Sequence, residues 1–143
     1  MRGEIIKPKV NSNFHSVAGV NLFEHPEDSA YIEYRRKWKE WPQNLIAGEF
    51  PLFIDIEVTS ACNLQCSFCA TTFRGELIKK GFIDNALVKK IIDEGSQNGL
   101  YGIKFNIRGE PLLHKHIHEF VRYAKDKGLI DVYYNTNAML LDE

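Results

Sequence analysis

Three cysteines lie within eight residues of one another in this sequence and carry its clearest chemical signal. Cys62, Cys66 and Cys69 form a C-x3-C-x2-C pattern. Three thiolates on one short loop suit a shared metal centre, because soft sulfur ligands favour iron–sulfur clusters and zinc. In a four-iron cubane they would hold three corners, whereas electron-transfer clusters normally have four cysteines. The spacing therefore predicts a metal centre, and an iron left open would indicate a catalytic cluster.

Nearby histidines offer another interpretation of the same cysteines. His114, His116 or His118 could supply the fourth ligand of a zinc site. Structural zinc sites usually contain two paired knuckles, however, and a run of alternating polar residues at a helix start is typical of a solvated face. A zinc-binding module remains the alternative to an iron–sulfur site.

The elements that must position the cysteine loop alternate between strands and helices. Apolar runs and turn signals predict a strand over residues 52–58, a helix over 84–97 with Asp84 as N-cap, a strand over 101–107, a helix over 116–127 ended by Gly128, and a strand over 130–135. This order indicates an α/β fold with a parallel sheet. Ligands of such folds bind at the carboxyl ends of the strands, where the cysteine loop follows the first strand.

Alternation of residue types predicts two different faces for this sheet. The apolar residues expected to face the helices are Ile54, Ile56, Val58, Ile103, Phe105 and Ile107, and the polar residues expected on the other face are Asp55, Glu57, Thr59, Lys104, Asn106, Arg108, Asn135 and Asn137. A polar face shared by three strands is typical of a barrel interior or a ligand crevice. Structural ion pairs between strands, such as Glu57 with Lys104, are the other explanation.

The chain before the sheet is expected to be a leader over residues 1–50, followed by the main domain over residues 51–143. No element is predicted over residues 1–25. An acidic start and aromatic residues spaced by three and four predict an amphipathic helix over about residues 27–41 that ends before Pro42. Its aromatic stripe is expected to pack on the main domain, and a ligand-binding surface is the alternative.

Composition excludes several classes of protein. With 44% hydrophobic and 26% charged residues the chain is an ordinary globular sequence, not a disordered or fibrous one. A formal net charge of -1 disfavours nucleic-acid binding, because such proteins carry a basic excess. The apolar runs predict no membrane span, and an odd number of clustered cysteines does not suit a secreted disulfide scaffold. These features predict a cytoplasmic protein.

Three segments together resemble the radical S-adenosylmethionine (radical SAM) superfamily. Its signature, C-x3-C-x-aromatic-C, is matched by the three cysteines and Phe68. Its Gly-Gly-Glu-Pro motif after the second strand is matched by Gly109, Glu110 and Pro111, with Arg108 in place of the first glycine. After the third strand, Thr136-Asn137-Ala138 is similar to the Thr-Asn-Gly of many members. The resemblance covers residues 52–143.

The resemblance implies a fold, two cofactors and a reaction. The fold would be a TIM-like (β/α) partial barrel of which only the first β-α-β-α-β portion is present, so residues 51–143 are expected to be a truncated core. Cys62, Cys66 and Cys69 would bind a [4Fe-4S] cluster. Reductive cleavage of S-adenosylmethionine would then release a 5'-deoxyadenosyl radical that abstracts hydrogen from a substrate.

The resemblance also implies which residues contact S-adenosylmethionine and which partners the protein needs. The cofactor-binding residues would be Phe68, whose backbone lies against the adenine, Gly109, Glu110 at the methionine amino group, and Asn137. The electron would come from an external donor such as flavodoxin or ferredoxin, and the substrate would be a peptide, a sugar or a small metabolite. The catalytic residues are not indicated, and a non-catalytic metal-binding module or an inactive fragment is the alternative.

Overall fold

A computed structural model describes residues 28–73 and 75–141 of the chain. Its elements are helix α1 (Ser29–Gln43), strand β1 (Phe53–Asp55), helix α2 (Ala70–Phe73), helix α3 (Asn85–Gln97), strand β2 (Gly102–Lys104), helix α4 (Ile117–Asp126) and strand β3 (Asp131–Tyr133), with short 3-10 helices at Gly75–Leu77 and Pro111–Leu113. The strands form a parallel sheet in the order β1-β2-β3. The predicted α/β fold with a parallel sheet is therefore confirmed.

The three strands are shorter than the sequence predicts, and each ends earlier at its carboxyl side. Hydrogen bonding continues for one step past β1 and β2, from the Ile56 amide to the Lys104 carbonyl and from the Phe105 amide to the Tyr133 carbonyl. Beyond those bonds the chains diverge into loops. Alternating apolar residues continue past the last paired residue of β1 and β2, because their side chains are buried in the core even where the strands no longer pair.

Helices α3 and α4 connect the strands and begin and end close to the predicted positions. The Asp84 side chain caps α3 by accepting a hydrogen bond from the Leu87 amide. Gly128 follows α4 with a positive φ of 87°, the left-handed conformation that glycine adopts at helix ends. Both helices pack on the same face of the sheet.

The core lies between that face and the two connecting helices. Its buried members are Ile56, Val58, Val88, Ile92, Leu100, Ile103, Phe105, Ile117, Phe120, Ala124 and Leu129, with Ile54 packed against them. One expectation for the faces is wrong: Ile107 is 59% exposed, because the chain has left the sheet there. Thr59 is buried, and its hydroxyl donates to the Gly81 carbonyl and accepts from the Ala61 amide.

The opposite face of the sheet carries ion pairs, but not with the predicted partners. Lys104 lies 3.9 Å from Asp55, its neighbour in the register of β1 and β2. Arg108 instead pairs with Glu57 through two hydrogen bonds of 2.7 and 2.9 Å. The pairing of Glu57 with Lys104 is therefore wrong, because register places Asp55 opposite the lysine.

Helix α1 covers the amino ends of the strands. Tyr34 stacks on Tyr101 with ring centroids 5.3 Å apart and donates a hydrogen bond of 2.9 Å to Asp131. Trp38 meets Phe53 edge-on at 5.7 Å. These contacts confirm that the aromatic stripe packs on the sheet, at the end opposite the cysteine loop.

The bounds of α1 differ from the prediction at both ends. Asp28 is its N-cap and accepts hydrogen bonds from the Ala30 and Tyr31 amides. The helix continues through Pro42, which was expected to stop it. Proline removes only one amide donor in the last turn, and the Asn44 amide still bonds to the Glu40 carbonyl.

The sequence predicts no helix or strand over residues 1–25, and these residues lie outside the described part of the chain. Within the described ranges, no helix is both long and apolar enough to cross a bilayer. The division into a leader and a main domain stays a prediction.

Packing at β2 predicts that Gly102 accepts no side chain. A Cβ atom there would lie 2.5 Å from the Phe53 ring and 2.9 Å from the Asp131 carbonyl oxygen. Gly102→Ala should lower the free energy of unfolding by about 1–3 kcal/mol, the usual cost of overpacking. Gly81→Ala, where the added Cβ meets nothing within 4 Å, is the matched control and should change it little. Equal urea midpoints for the two variants would contradict this packing.

Candidate functional site

The cysteine loop lies at the carboxyl end of β1, as predicted. Cys62, Cys66 and Cys69 are free thiols and all are partly buried. The loop is shaped by its own backbone, since the Cys69 amide donates to the Cys66 carbonyl at 3.0 Å and the Leu64 amide donates to Cys62 Sγ at 3.4 Å. Helix α2 begins directly after Cys69.

One of the three thiols has a perturbed acidity. The Thr71 hydroxyl lies 2.9 Å from Cys69 Sγ and lowers the pKa of that thiol, with smaller contributions from the backbone amides of Thr71 and Thr72. These groups favour the thiolate because they stabilise negative charge on sulfur. A thiolate is the form that binds metal.

The donor set fits an iron–sulfur cluster in its chemistry. Three free thiols of one short loop are the soft ligands that such clusters take. Within the described part of the chain, no three cysteine, histidine or acidic side chains are already drawn together as in a formed metal site. The ligand roles of the three cysteines therefore stay a prediction.

Glu110 is the most heavily bonded side chain near this loop. It is 2% exposed and accepts three hydrogen bonds. Its Oε1 accepts from the Thr136 hydroxyl at 2.6 Å and the Leu112 amide at 3.0 Å, and its Oε2 accepts from the Asn137 amide at 2.8 Å. Buried carboxylates require such bonds, because an unpaired buried charge is very costly. Glu110 thus joins the loop after β2 to the loop after β3.

Gly109 allows the loop after β2 to touch the loop after β1. Its φ is 69°, and a Cβ there would lie 2.3 Å from the Thr59 carbonyl oxygen and 2.6 Å from that of Ala61. The next amide, that of Glu110, donates to the Ala61 carbonyl at 2.8 Å. Only glycine provides both this conformation and this close approach.

Asn137 connects the loop after β3 to the cysteine loop. Its Nδ2 donates to Asn63 Oδ1 at 2.8 Å and lies 4.0 Å from Cys62 Sγ. The next residue, Ala138, has a φ of 62°, a left-handed conformation that glycine adopts more readily than alanine. The structure therefore brings Gly109, Glu110 and Asn137 together beside the first cysteine.

Phe68 and Arg108 are placed at the same end of the sheet. The Phe68 side chain is 88% exposed on the cysteine loop. Glu57 raises the pKa of the Arg108 guanidinium through its hydrogen bonds and charge, so Arg108 is a fixed cation at the carboxyl end of β2.

Two of the three candidate histidines are hydrogen-bonded to other parts of the protein. His114 is 3% exposed, and both its ring nitrogens are engaged, Nδ1 with the His116 amide and Nε2 with the Ile83 carbonyl. His116 Nδ1 lies 3.0 Å from Glu119. These contacts tie the start of α4 to the residues before α3, which is a structural role.

Sequence reasoning missed two residues of the site, Asn63 and Ser60. Asn63 follows the first cysteine directly, and that adjacency was the available signal. Ser60 fixes the start of the loop, because its hydroxyl donates to the Lys79 carbonyl and accepts from the Gly81 amide. Both act across about twenty or more positions of sequence, so spacing alone could not find them.

A protein-family model matches most of the part of the chain that contains the sheet and the three loops. A family model described as the radical SAM superfamily matches residues 56–143, which is more than half of the chain. The chain belongs to the radical SAM superfamily. The resemblance inferred from the three motifs is confirmed.

Curated relatives of this radical SAM chain include enzymes with different substrates in their names. A GTP 3',8-cyclase of Chlorobaculum tepidum is 38% identical over 91 residues, which are 63% of this chain and 27% of that protein. A PqqA peptide cyclase of Bradyrhizobium diazoefficiens is 33% identical over 93 residues, which are 64% of this chain and 23% of that protein. The chain thus spans less than a third of the length of either relative.

Solved structures show the same partial α/β fold. BtrN in an open conformation superposes with a TM-score of 0.57 and 28% identity, covering 67% of this chain and 43% of that one. BtrN in complex with AdoMet and 2-DOIA superposes with a TM-score of 0.56 and 27% identity, covering 66% of this chain and 39% of that one. The predicted partial-barrel class is confirmed, and a similar fold binds AdoMet.

Gly109 yields a prediction with a matched control elsewhere in the radical SAM chain. Gly109 and Gly128 both have positive φ, but a Cβ on Gly128 would meet nothing within 4 Å. Gly128→Ala should lower the free energy of unfolding by about 1–2 kcal/mol from left-handed strain alone. Gly109→Ala should cost about 1–3 kcal/mol more because it also clashes with two carbonyls. Denaturant titrations that rank the variants in the reverse order would refute the close approach.

Glu110 yields a second prediction. A glutamine there has one oxygen and one NH₂ group, so one of the donors that now bonds to the carboxylate would face another donor. Glu110→Gln should lower the free energy of unfolding by about 1–3 kcal/mol, the cost of leaving a buried polar group unsatisfied. Glu49→Gln, on an exposed side chain, is the control and should be neutral. Thermal or urea unfolding measures the difference in stability. Two equally stable variants would show that the Glu110 carboxylate does not stabilise the loops.

Proposed function

We propose that this chain forms the part of a radical SAM enzyme that binds a [4Fe-4S] cluster and S-adenosylmethionine. Cys62, Cys66 and Cys69 are the proposed cluster ligands. When bound, the cluster would supply one electron to the sulfonium of S-adenosylmethionine, so that its S–C5' bond breaks to give methionine and a 5'-deoxyadenosyl radical that abstracts hydrogen from a substrate. The protein residues bind and orient these groups at the carboxyl ends of the strands.

The observation that carries the proposal is the position of the three free thiols. They lie on one loop at the end of the sheet where parallel α/β folds bind their ligands. The same loop is hydrogen-bonded to the Gly109-Glu110 turn and to Asn137. A triplet without a fourth cysteine leaves one iron open for a substrate or cofactor, which is what a catalytic cluster requires.

The proposed S-adenosylmethionine contacts are those of Phe68, Gly109, Glu110 and Asn137. Among the described residues, Glu110 Oε2 accepts one hydrogen bond, from the Asn137 amide, so one of its lone pairs is proposed to accept from the methionine ammonium group. Both lone pairs of Oε1 are already used. Glu110 therefore joins the loops through both oxygens and would bind the cofactor through the second lone pair of Oε2. Gly109 keeps the backbone of this turn close enough to the cysteine loop to share the cofactor.

Three further features of the proposal concern the whole protein. A small redox protein such as flavodoxin or ferredoxin is the proposed electron donor, because enzymes of the radical SAM superfamily generally use a reductant. The substrate is a peptide, a sugar or a small metabolite. Residues 1–50 form a leader to the core over residues 51–143, with α1 closing the amino end of the sheet.

A non-catalytic metal-binding module is the second candidate function. A zinc site of three cysteines and His114 is disfavoured, because both nitrogens of that buried ring are already hydrogen-bonded. A cluster bound without S-adenosylmethionine cleavage is distinguished by product analysis. 5'-Deoxyadenosine formed by the reduced, reconstituted protein would identify the enzyme.

The cluster ligands can be tested by anaerobic reconstitution followed by iron and sulfide analysis. The wild-type chain should bind about four irons and four sulfides, the content of one cubane. Cys66→Ala should reduce this to background, because two thiolates cannot hold three irons. Ser67→Ala, on the adjacent exposed residue, is the control and should assemble normally.

Zinc bound in stoichiometric amount without labile sulfide would overturn the proposed function. So would an unchanged iron content in the Cys66→Ala variant. With assembly established, dithionite and S-adenosylmethionine should yield 5'-deoxyadenosine from wild-type and Ser67→Ala protein, measured by liquid chromatography.

A further inference from the structure

Asn63 and Asn137 form a direct side-chain contact between the first and third loops. Asn137 Nδ2 donates to Asn63 Oδ1 at 2.8 Å, a well-formed hydrogen bond across 74 positions of sequence. The Asn137 Oδ1 is engaged as well, accepting from the Met139 amide at 3.0 Å. Because both ends of the Asn137 amide are bonded, its orientation is determined by its surroundings.

This contact completes a ring of hydrogen bonds through all three loops. The Glu110 amide bonds to the Ala61 carbonyl, which joins the second loop to the first. The Glu110 carboxylate accepts from Thr136 and Asn137, which joins the second loop to the third. The Asn63–Asn137 bond then joins the third loop back to the first, beside Cys62.

The sulfur of Cys62 lies next to this closing bond. The Leu64 amide donates to Cys62 Sγ at 3.4 Å, and Asn137 Nδ2 lies 4.0 Å from the same atom. The positive ends of two N–H dipoles therefore lie near one sulfur. Cys66 has no such donor among the described residues, and Cys69 has the Thr71 hydroxyl.

We propose that the Asn63–Asn137 amide pair is a clamp that positions Cys62 and raises the reduction potential of the bound cluster. The inference rests on the proposed function, since it assumes that Cys62 is a cluster ligand. Asn63 and Asn137 are positioning residues in this role. Asn137 additionally places an N–H dipole near the ligand sulfur.

Two physical effects follow from the clamp. Reduction adds negative charge to a cluster, and N–H dipoles near its sulfurs stabilise that charge and raise the potential. A thiolate held by hydrogen-bonded neighbours also loses less conformational freedom on binding metal. Asn137 contributes to both effects, whereas Asn63 contributes only by holding Asn137 in place.

The test compares three variants with a matched control. Asn137→Ala removes the donor, Asn63→Ala removes the acceptor, and Asn63→Asp keeps an acceptor oxygen for Asn137 Nδ2. The control is Asn135→Ala, because that exposed side chain makes no hydrogen bond in the described part of the chain while its backbone amide bonds to Asn106. Iron and sulfide content is measured first for every protein.

The first readout is the midpoint potential of the reconstituted full chain, obtained by redox titration with electron paramagnetic resonance. Asn137→Ala should lower the equilibrium constant for one-electron reduction three- to tenfold, which is about 30–60 mV. Asn63→Ala should lower the potential by less. The potential of the Asn63→Ala/Asn137→Ala double variant should equal that of Asn137→Ala, because the two single shifts do not add when both act through the same contact. Asn135→Ala should match wild type.

The second readout needs no cluster. In the apo chain, the rate of Cys62 alkylation by iodoacetamide relative to Cys66 and Cys69 is measured by peptide mass spectrometry at one pH. Asn63→Ala should raise this ratio about two- to tenfold, the range that one net hydrogen bond supports, because Cys62 is no longer held by its hydrogen-bonded neighbours. Asn137→Ala should raise it less, because that variant also removes an N–H dipole that stabilises negative charge on the attacking sulfur. Asn63→Asp should restore the wild-type ratio, and circular dichroism confirms that each variant is folded.

The outcomes separate this inference from the proposed function. Wild-type protein that takes up no cluster would contradict the proposed function, while the alkylation ratios would still decide whether the clamp exists. Full cluster content with unchanged potentials in Asn137→Ala would overturn the effect on the cluster. Unchanged alkylation ratios in both alanine variants would overturn the clamp itself.

Discussion

The buried carboxylate of Glu110 is the interaction on which the candidate site depends. It is 2% exposed and bonded by three donors from two loops, while its own amide bonds to a third. A charge buried so deeply is tolerated only because these bonds replace water. The loops that satisfy Glu110 are therefore held in one arrangement, and the cysteine loop is held with them.

The two ends of the sheet are held by different kinds of contact. At the amino ends of the strands, the aromatic residues of α1 pack on Tyr101 and Phe53 and close the sheet. At the carboxyl ends, hydrogen bonds rather than apolar contacts connect the loops. The difference has a physical reason: backbone and polar side-chain groups in the loops need hydrogen-bond partners, whereas the aromatic rings of α1 remove apolar surface from water.

Membership of the radical SAM superfamily agrees with this division. The family match begins at residue 56, so it includes all three loops and excludes α1. Relatives named for GTP and for a peptide are 38% identical over 91 residues and 33% identical over 93 residues.

Local sequence patterns were enough to find the cysteine triplet and to predict the order of strands and helices, the N-cap Asp84 and the glycine that ends α4. Those features depend on local spacing and on conformations that single residues prefer. The folded structure was needed to show that strand pairing stops early and exposes Ile107, that Arg108 pairs with Glu57, and that Asn63 meets Asn137 beside Cys62. Register and loop contacts join residues that are 51 and 74 positions apart, and no local preference encodes such distances.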